Sequence, residues 1–496
     1  VAHPYAHQPP TEKESLYAAV QQADFSRMSV AVVAARAKPS FRLTAVIVAT
    51  ALFMEQLDGT VLATALPDMA HSFGVDPLRM NVALTAYLLS LAVFIPASGR
   101  AADRFGSRTV FRAAIAVFTA GSMLCGQAHG LPELVASRVL QGLGGAMMTP
   151  VGRLVVLRSV PKKDLVNAMN WVLIPALLGP IIGPPLGGFF VTYLSWRWIF
   201  YINVPIGLLG MVLASLFIEE VREDIRRPFD LPGLALCGTS LACLMFGFEF
   251  TSRGVGGLGI GLGLLATGLA AGTLYVRHAR RVADPILDLR LMQTPSFALS
   301  AIGGGFSRIA AGSMPFLLPM MLQLGFGFTA ARSGLISFMP AAGAMAMKAL
   351  AMPVLHRFGF RAALMGNGVI ATALLLGCAA FRPGWPLLAI YAVLFAYGIC
   401  QSLQFTALNA VAYADITRGQ MSAATSFYTT FQQLMLSAGI CTAAMALAGS
   451  EAVRHHAAPT VADFSTAFVV IGLITLASAF VCARLPRKTG DDMAGR

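Results

Sequence analysis

Charge is what this sequence has least of. Only 12% of its 496 residues are Asp, Glu, Lys or Arg, about half of the roughly 25% usual in soluble proteins. Hydrophobic residues make up 56%. A soluble core does not grow past roughly 250–300 residues, so this composition excludes one large soluble domain and points to lipid as the solvent. Acids are scarcer than bases: 23 Asp and Glu face 36 Lys and Arg, a net charge of +13. The positive charge sits in short stretches between apolar runs. It is not gathered on one face of a soluble domain, which argues against a nucleic-acid partner. The seven Cys form no CxxC pair and read as small apolar residues.

Catalytic signatures are also missing. The chain has no HExxH, no GxSxG and no paired DDxxD, so an intramembrane enzyme is the weaker alternative and no metal or cofactor is expected. Asp284 and Asp288 lie in a basic loop, and His455–His456 has no third ligand nearby. Without a Walker motif, ATP is not the energy source within this chain. The first 40 or so residues lack the apolar core of a cleavable signal peptide. They begin with Val, and Met28 reads as an alternative start.

What is abundant is glycine, 48 residues, which lets membrane helices approach closely. A helix needs about 20 apolar residues to cross a bilayer. Fourteen runs qualify, at about 43–66, 80–99, 109–128, 132–156, 165–191, 197–218, 231–251, 256–276, 296–323, 333–355, 362–380, 386–412, 421–448 and 464–484. With the N-terminus cytoplasmic, 26 Lys and Arg fall at inside segments and six outside, namely Arg79, Arg197, Arg253, Arg332, Arg382 and Arg454. That bias follows the positive-inside rule and stays in phase to the end.

The chain also repeats itself. Asp103-Arg104-Phe105-Gly106-Ser107-Arg108 follows the second run, and His356-Arg357-Phe358-Gly359-Phe360-Arg361 follows the tenth. Paired six-helix repeats with a site between them are a transporter plan. The expected organisation is a cytoplasmic tail at 1–42, a six-helix bundle at 43–218, an inserted hairpin with its loops at 219–294, a second bundle at 295–485 and a cytoplasmic tail at 486–496.

Five stretches carry a resemblance. They are Leu57 to Pro67 (LDGTVLATALP), Gly99 to Arg108 (GRAADRFGSR), Ser137 to Met148 (SRVLQGLGGAMM), Gly179 to Gly188 (GPIIGPPLGG) and Trp196 to Gly207 (WRWIFYINVPIG). Together they resemble the major facilitator superfamily, in particular its fourteen-helix drug:proton antiporters (the EmrB/QacA group). The resemblance covers about 43 to 485. It implies an all-α polytopic membrane protein with the major facilitator fold: fourteen transmembrane helices and both termini cytoplasmic. It also implies proton-driven efflux, by alternating access, of small molecules such as drugs or toxic metabolites. The setting would be a bacterial inner membrane, with protons, substrate and the bilayer as partners and the monomer as the working unit.

Individual residues take expected roles. Asp58 is a carboxylate in a lipid-embedded helix, where a charge is costly and by default functional. It either exchanges a proton or locks a neighbouring helix by hydrogen bonding. Glu55 lies about one turn away on nearly the same face. Ala63 stands where the family has Asn. Arg138, about 9 Å in from the outer end of its helix, either needs a partner or snorkels outward. The family's equivalent Arg serves proton coupling. Asp103, Arg104, Gly106 and Arg108 read as a cytoplasmic gate, with Arg paired to carboxylates across the halves. Gly179, Gly183 and Gly187 give a smooth face, and Pro180, Pro184 and Pro185 kink it. That matches the antiporter motif and suits an interface between halves. Trp196, Trp198 and Tyr201 read as interfacial anchors. Arg308 and Lys348 lie about 18 and 22 Å into their helices, where snorkelling is hard. With Phe405 they read as part of a substrate cavity. They either face the acids of the first bundle as a switch or bind an anionic metabolite as cargo.

Overall fold

The computed structural model describes residues 41–159, 165–220, 229–251, 255–417, 420–455 and 458–486, and every regular element in them is helical. The expected tails therefore lie almost wholly outside the described residues. The apolar runs fall on long helices: α1 (Phe41–Val61), α2 (Asn81–Phe105), α3 (Ser107–Gln127), α4 (Leu131–Ser159), α5 (Leu165–Tyr193), α6 (Asn203–Phe217), α7 (Leu231–Thr251), α8 (Val255–Ala279), α9 (Pro295–Met320), α10 (Met339–Phe358), α11 (Phe360–Ala379), α12 (Leu387–Tyr413), α13 (Met421–Arg454) and α14 (Val461–Cys482). Among the described residues, twelve helical stretches are long and apolar enough to cross a membrane. In lipid the backbone must satisfy its own hydrogen bonds, and helices do so within one segment.

Helices α1 to α6 pack among themselves as α9 to α14 do. In the first set α1 lies on α5, α2 on α4, and α3 on both α4 and α6. In the second, α9 lies on α13, α10 on α12, and α11 on both α12 and α14. The sequence repeat marks matching joints. Gly106 turns α2 into α3 at φ 94°, and Gly359 turns α10 into α11 at φ 76°. An L side chain rarely adopts that backbone, which explains glycine at the same place in both copies.

The two ends of the molecule are built differently. At the end that carries Trp196, one apolar core joins both sets, from Leu62, Leu66 and Phe200 to Leu317, Phe381 and Phe464. At the end that carries Gly106 and Gly359 the cores are separate. Ile47, Phe111 and Val151 belong to one, and Leu355, Leu364 and Val411 to another. Contacts between the sets tighten accordingly near Trp196. Gln323 Nε2 donates to Thr64 O (3.0 Å) and Ala331 N donates to Thr192 Oγ1 (2.9 Å). A Cβ on Gly188 would strike the backbone of Ala330, and one on Gly334 the backbone of Pro184.

The hairpin α7–α8 covers one seam between the sets, where α2 meets α13. Met245 packs with Leu89 and Cys441 there. Its far end is tied by Asp230, which caps α7. Asp230 Oδ1 accepts from Gly233 N (2.9 Å) and lies 2.7 Å from His278 Nε2, and Oδ2 accepts from Ile286 N (3.1 Å). Burial works to raise the Asp230 carboxyl, but these hydrogen bonds outweigh it and hold it below the ordinary carboxylate value.

Candidate functional site

Two groups of charged side chains lie within the helices. The first is dry. Asp58 on α1 and Arg138 on α4 are both buried, with Arg138 at 0% exposure. Arg138 Nη1 donates to Asp58 Oδ2 at 2.6 Å. Asp58 Oδ1 accepts from Gln141 Nε2 (2.8 Å) and Asn203 Nδ2 (3.1 Å). Arg138 also reaches Gln141 Oε1 (2.7 Å) and Ala83 O (3.2 Å), and its guanidinium lies 4.2 Å from the Tyr87 ring centroid. Gln141 follows Arg138 by three positions, so both project from one face of α4. A charge pair taken out of water needs further polar partners; α1, α2, α4 and α6 supply them here, while Arg138 Nη2 and Asn203 Oδ1 find none among the described residues. Full burial excludes outward snorkelling of Arg138.

Glu55 lies nearby but outside this cluster. Its Oε2 accepts from Thr149 Oγ1 at 2.7 Å. Glu249 belongs to α7, and its side chain lies outside the described residues.

The Gly179–Gly188 stretch packs against the same part of α1. A Cβ on Gly179 would sit 2.8 Å from Leu57 N; one on Gly183 would strike Thr60, and one on Gly187 would strike Val61 O. The glycine stripe thus seats α5 on α1 within one set of helices, and the same helix also packs against Ala330–Ser337 of the other set. It is Pro184 and Gly188 that meet the other set. The stripe brings α5 close enough to fix the segment that carries Asp58.

The second group lines a cavity. This cavity of about 450 Å³ is lined by α1, α5, α9, α10 and α12, with Tyr428 from α13. Arg308, Lys348 and Phe405 all line it, as do Pro180 and Pro184. The Arg308 guanidinium stacks 3.8 Å from the Phe405 centroid, and Lys348 Nζ lies 5.9 Å from the same centroid. Arg308 Nη2 donates to Gln432 Oε1 (3.1 Å). Neither cation has an ion pair among the described residues, and the acids of the first set do not face them. Ser307, Gln401 and Tyr397 add a polar strip: Ser307 Oγ donates to Gln401 Oε1 (3.3 Å), and Gln401 Nε2 to Tyr397 Oη (2.5 Å). Ala63 puts a methyl into the wall beside Thr60 and Thr64. The volume suits a drug-sized molecule.

The Gly106 stretch lies apart from both groups. Arg108 turns to the end of α6, where its N–H donates to Glu220 Oε1 (3.1 Å) and Nη1 to Ile218 O (3.3 Å). Thr109 Oγ1 donates to Glu220 Oε2 (2.5 Å). The Arg108 partner is thus on the same side of the molecule and not across the halves, because α3 and α6 are neighbours. Arg100 Nη2 donates to Asp284 O (3.0 Å), which ties α2 to the loop after the hairpin. Arg104 is exposed beside Phe105, and Asp103 is half-buried at the end of α2.

The sequence reading missed several members. Gln141 stood inside a quoted motif at helical spacing from Arg138, and that spacing was the available signal. Asn203 stood inside the aromatic stretch, whose anchors drew attention away from it. Trp196 itself is buried, at 2% exposure, with Arg197 stacked 4.3 Å from its ring, while Trp198 is exposed as an interfacial ring would be.

The family model described as Major Facilitator Superfamily matches residues 48–440. The chain is 39% identical to the multidrug resistance protein MdtD of Klebsiella pneumoniae over 455 residues, covering 90% of this chain and 95% of that one. It is likewise 39% identical to MdtD of Yersinia enterocolitica over 460 residues, with the same coverage. Among solved structures, a D-xylose-proton symporter superposes with a TM-score of 0.65 at 14% identity, covering 91% of this chain and 99% of that one. The human organic anion transporter MFSD10 superposes at 0.60 with 15% identity, covering 90% and 100%.

Proposed function

We propose that this chain, which belongs to the major facilitator superfamily, is a proton-driven exporter of small molecules, of the multidrug efflux kind its relatives are named for. It is a multi-pass membrane transporter and not an enzyme. In this reading α5 and α9 join the twelve apolar stretches to give fourteen spans. The bundles are 43–218 and 295–485, and the hairpin region is 219–294. Positive-inside charge puts both termini and the Gly106 end in the cytoplasm of a bacterial cell, the membrane being its inner one. The separate cores at that end then describe a conformer closed outside and open inside. The monomer is the working unit.

The observation that carries the reading is the buried Asp58–Arg138 pair. Neutralising Asp58 with a proton leaves Arg138 without its counter-charge in a dry site, a change worth several kcal/mol. The bundle must then repack, and that couples proton binding to alternating access. One proton crossing 100 mV supplies about 2.3 kcal/mol, enough for roughly a fiftyfold gradient of a neutral solute. Glu55 is the second acid of the site. Pro180 and Pro184 let α5 bend where it lines the cavity, and Asp103, Arg104, Gly106 and Arg108 stiffen the cytoplasmic joint of α2 and α3.

A second reading concerns the cargo. The charged groups on the cavity wall are Arg308 and Lys348, both positive, which favours an anionic substrate over a lipophilic cation. Inverted vesicles with a trapped pH probe test both. Carboxyfluorescein uptake that moves protons and is lost in Asp58→Asn is the expected result. Ethidium uptake without carboxyfluorescein uptake would overturn the anionic reading. Transport of either dye with no proton movement would overturn proton coupling.

A further inference from the structure

Helix α4 offers α1 and α2 three successive turns. Gln141, with Arg138, holds Asp58. Thr149 holds Glu55. Gly145 lies between, about 6 Å along the axis from each neighbour. Gly145 leaves a notch, and the Tyr87 hydroxyl of α2 occupies it. A Cβ at position 145 would sit 3.1 Å from Tyr87 Oη. The Tyr87 ring is pinned under Arg138, and the residue is 3% exposed. Its Oη has no hydrogen-bond partner among the described residues. Buried polar groups are nearly always paired, and packing alone would be served better by Phe. The hydroxyl thus sits at the turn of α4 between the turn that holds Asp58 and the turn that holds Glu55.

We propose that Tyr87 is a relay residue that passes a proton between Asp58 and Glu55. The proposal rests on proton coupling at Asp58. A tyrosine hydroxyl can accept and donate at once. On release, the protonated Asp58 carboxyl gives its proton to Tyr87 Oη as the original Tyr87 proton passes to the Glu55 carboxylate. One O–H bond breaks and one forms at the tyrosine, which ends neutral. Asp58 becomes a carboxylate and recovers Arg138, and Glu55 becomes a neutral acid. Glu55 is 8% exposed against 1% for Asp58, so Glu55 is the member that hands the proton on to water. Thr149 Oγ1 fixes its carboxyl, and Arg153, one turn further along α4, is the cation that acts on it. The paired Asp58 in this structure is the state after release.

The test uses the whole protein in lipid discs, with a pH jump followed by time-resolved infrared absorption of the carboxyl stretch. The Asp58 band is the one removed by Asp58→Asn. Tyr87→Phe keeps the ring over Arg138 and deletes only Oη. The expected result is an unchanged titration midpoint and an Asp58 protonation rate reduced about tenfold or more. Glu55→Gln, with Tyr87 intact, should slow the same band similarly. Wild-type rates in Tyr87→Phe would overturn the relay. A shifted midpoint at an unchanged rate would also overturn it, making Tyr87 only a neighbour of the ion pair. If no band is lost in Asp58→Asn, proton coupling at Asp58 fails and the relay fails with it, an outcome distinct from the other two.

Discussion

Arg138 and Arg308 carry the same guanidinium within the helices, and their surroundings are opposite. Arg138 is sealed from solvent and held by a carboxylate, an amide, a carbonyl and an aromatic face. Arg308 opens onto a cavity with one amide and one ring for company. The first can lose its partner only if the helices around it move. The second can gain a partner without any movement. A buried pair is therefore suited to driving a conformational change, and an unpaired cation in a cavity to binding a visitor. The two sets of helices share a packing plan and differ in how they hold their buried charge.

Several substitutions break or sharpen that contrast. The largest effect is expected from Arg138→Ala, which strands Asp58 in a dry site. A loss of about 3–5 kcal/mol is expected, read as a fall in detergent thermal stability, with transport abolished. Arg308→Ala should change stability far less, and equal losses in the two variants would erase the distinction. Next comes Asp58→Asn, which keeps shape and hydrogen-bonding capacity. Substrate-dependent proton movement in vesicles should fall below a tenth of wild type, a change of at least about 1.4 kcal/mol, while downhill dye exchange persists. Smaller again is the effect of Arg308→Gln or Lys348→Gln. Each should weaken carboxyfluorescein binding about tenfold and leave proton release on acid–base cycling unchanged, as measured by fluorescence titration and a pH indicator.

The smallest effect is expected at a control site outside both regions. Asp230→Asn should cost about 1 kcal/mol or less, since its partners are partly screened. The folded-state value of Asp230 is lowered, so its contribution is present above the ordinary unfolded value of about 3.9 and is lost as pH falls through the folded value. The difference in melting temperature between variant and wild type should be constant at neutral pH and vanish in acid.

Much of this was legible in the sequence. The apolar runs fall on helices because period and length suffice to see a long helix in lipid. α13 runs on to Arg454, past the expected end, because Arg454 and Glu451 can extend a helix beyond the bilayer without cost. Asp58, Arg138, Arg308 and Lys348 stood out because charges among apolar residues are conspicuous. Their pairing did not stand out. Asp58 meets Arg138 across 80 positions, and no spacing rule reaches that far. Asn203 and Tyr87 were hidden for a different reason: uncharged polar residues are common in such helices, and only their orientation gives them meaning. The direction taken by Arg108 was equally invisible, because it depends on which helix end lies beside α3.

The meeting of Gly188 with Ala330 and of Gly334 with Pro184 has a consequence for speed. A latch built from long side chains must select rotamers again each time it shuts, and each selection costs entropy. Here the main chain of one bundle closes directly on the main chain of the other. In the proposed cycle little waits to be reordered, so closure at this end would be limited only by how fast the bundles rock.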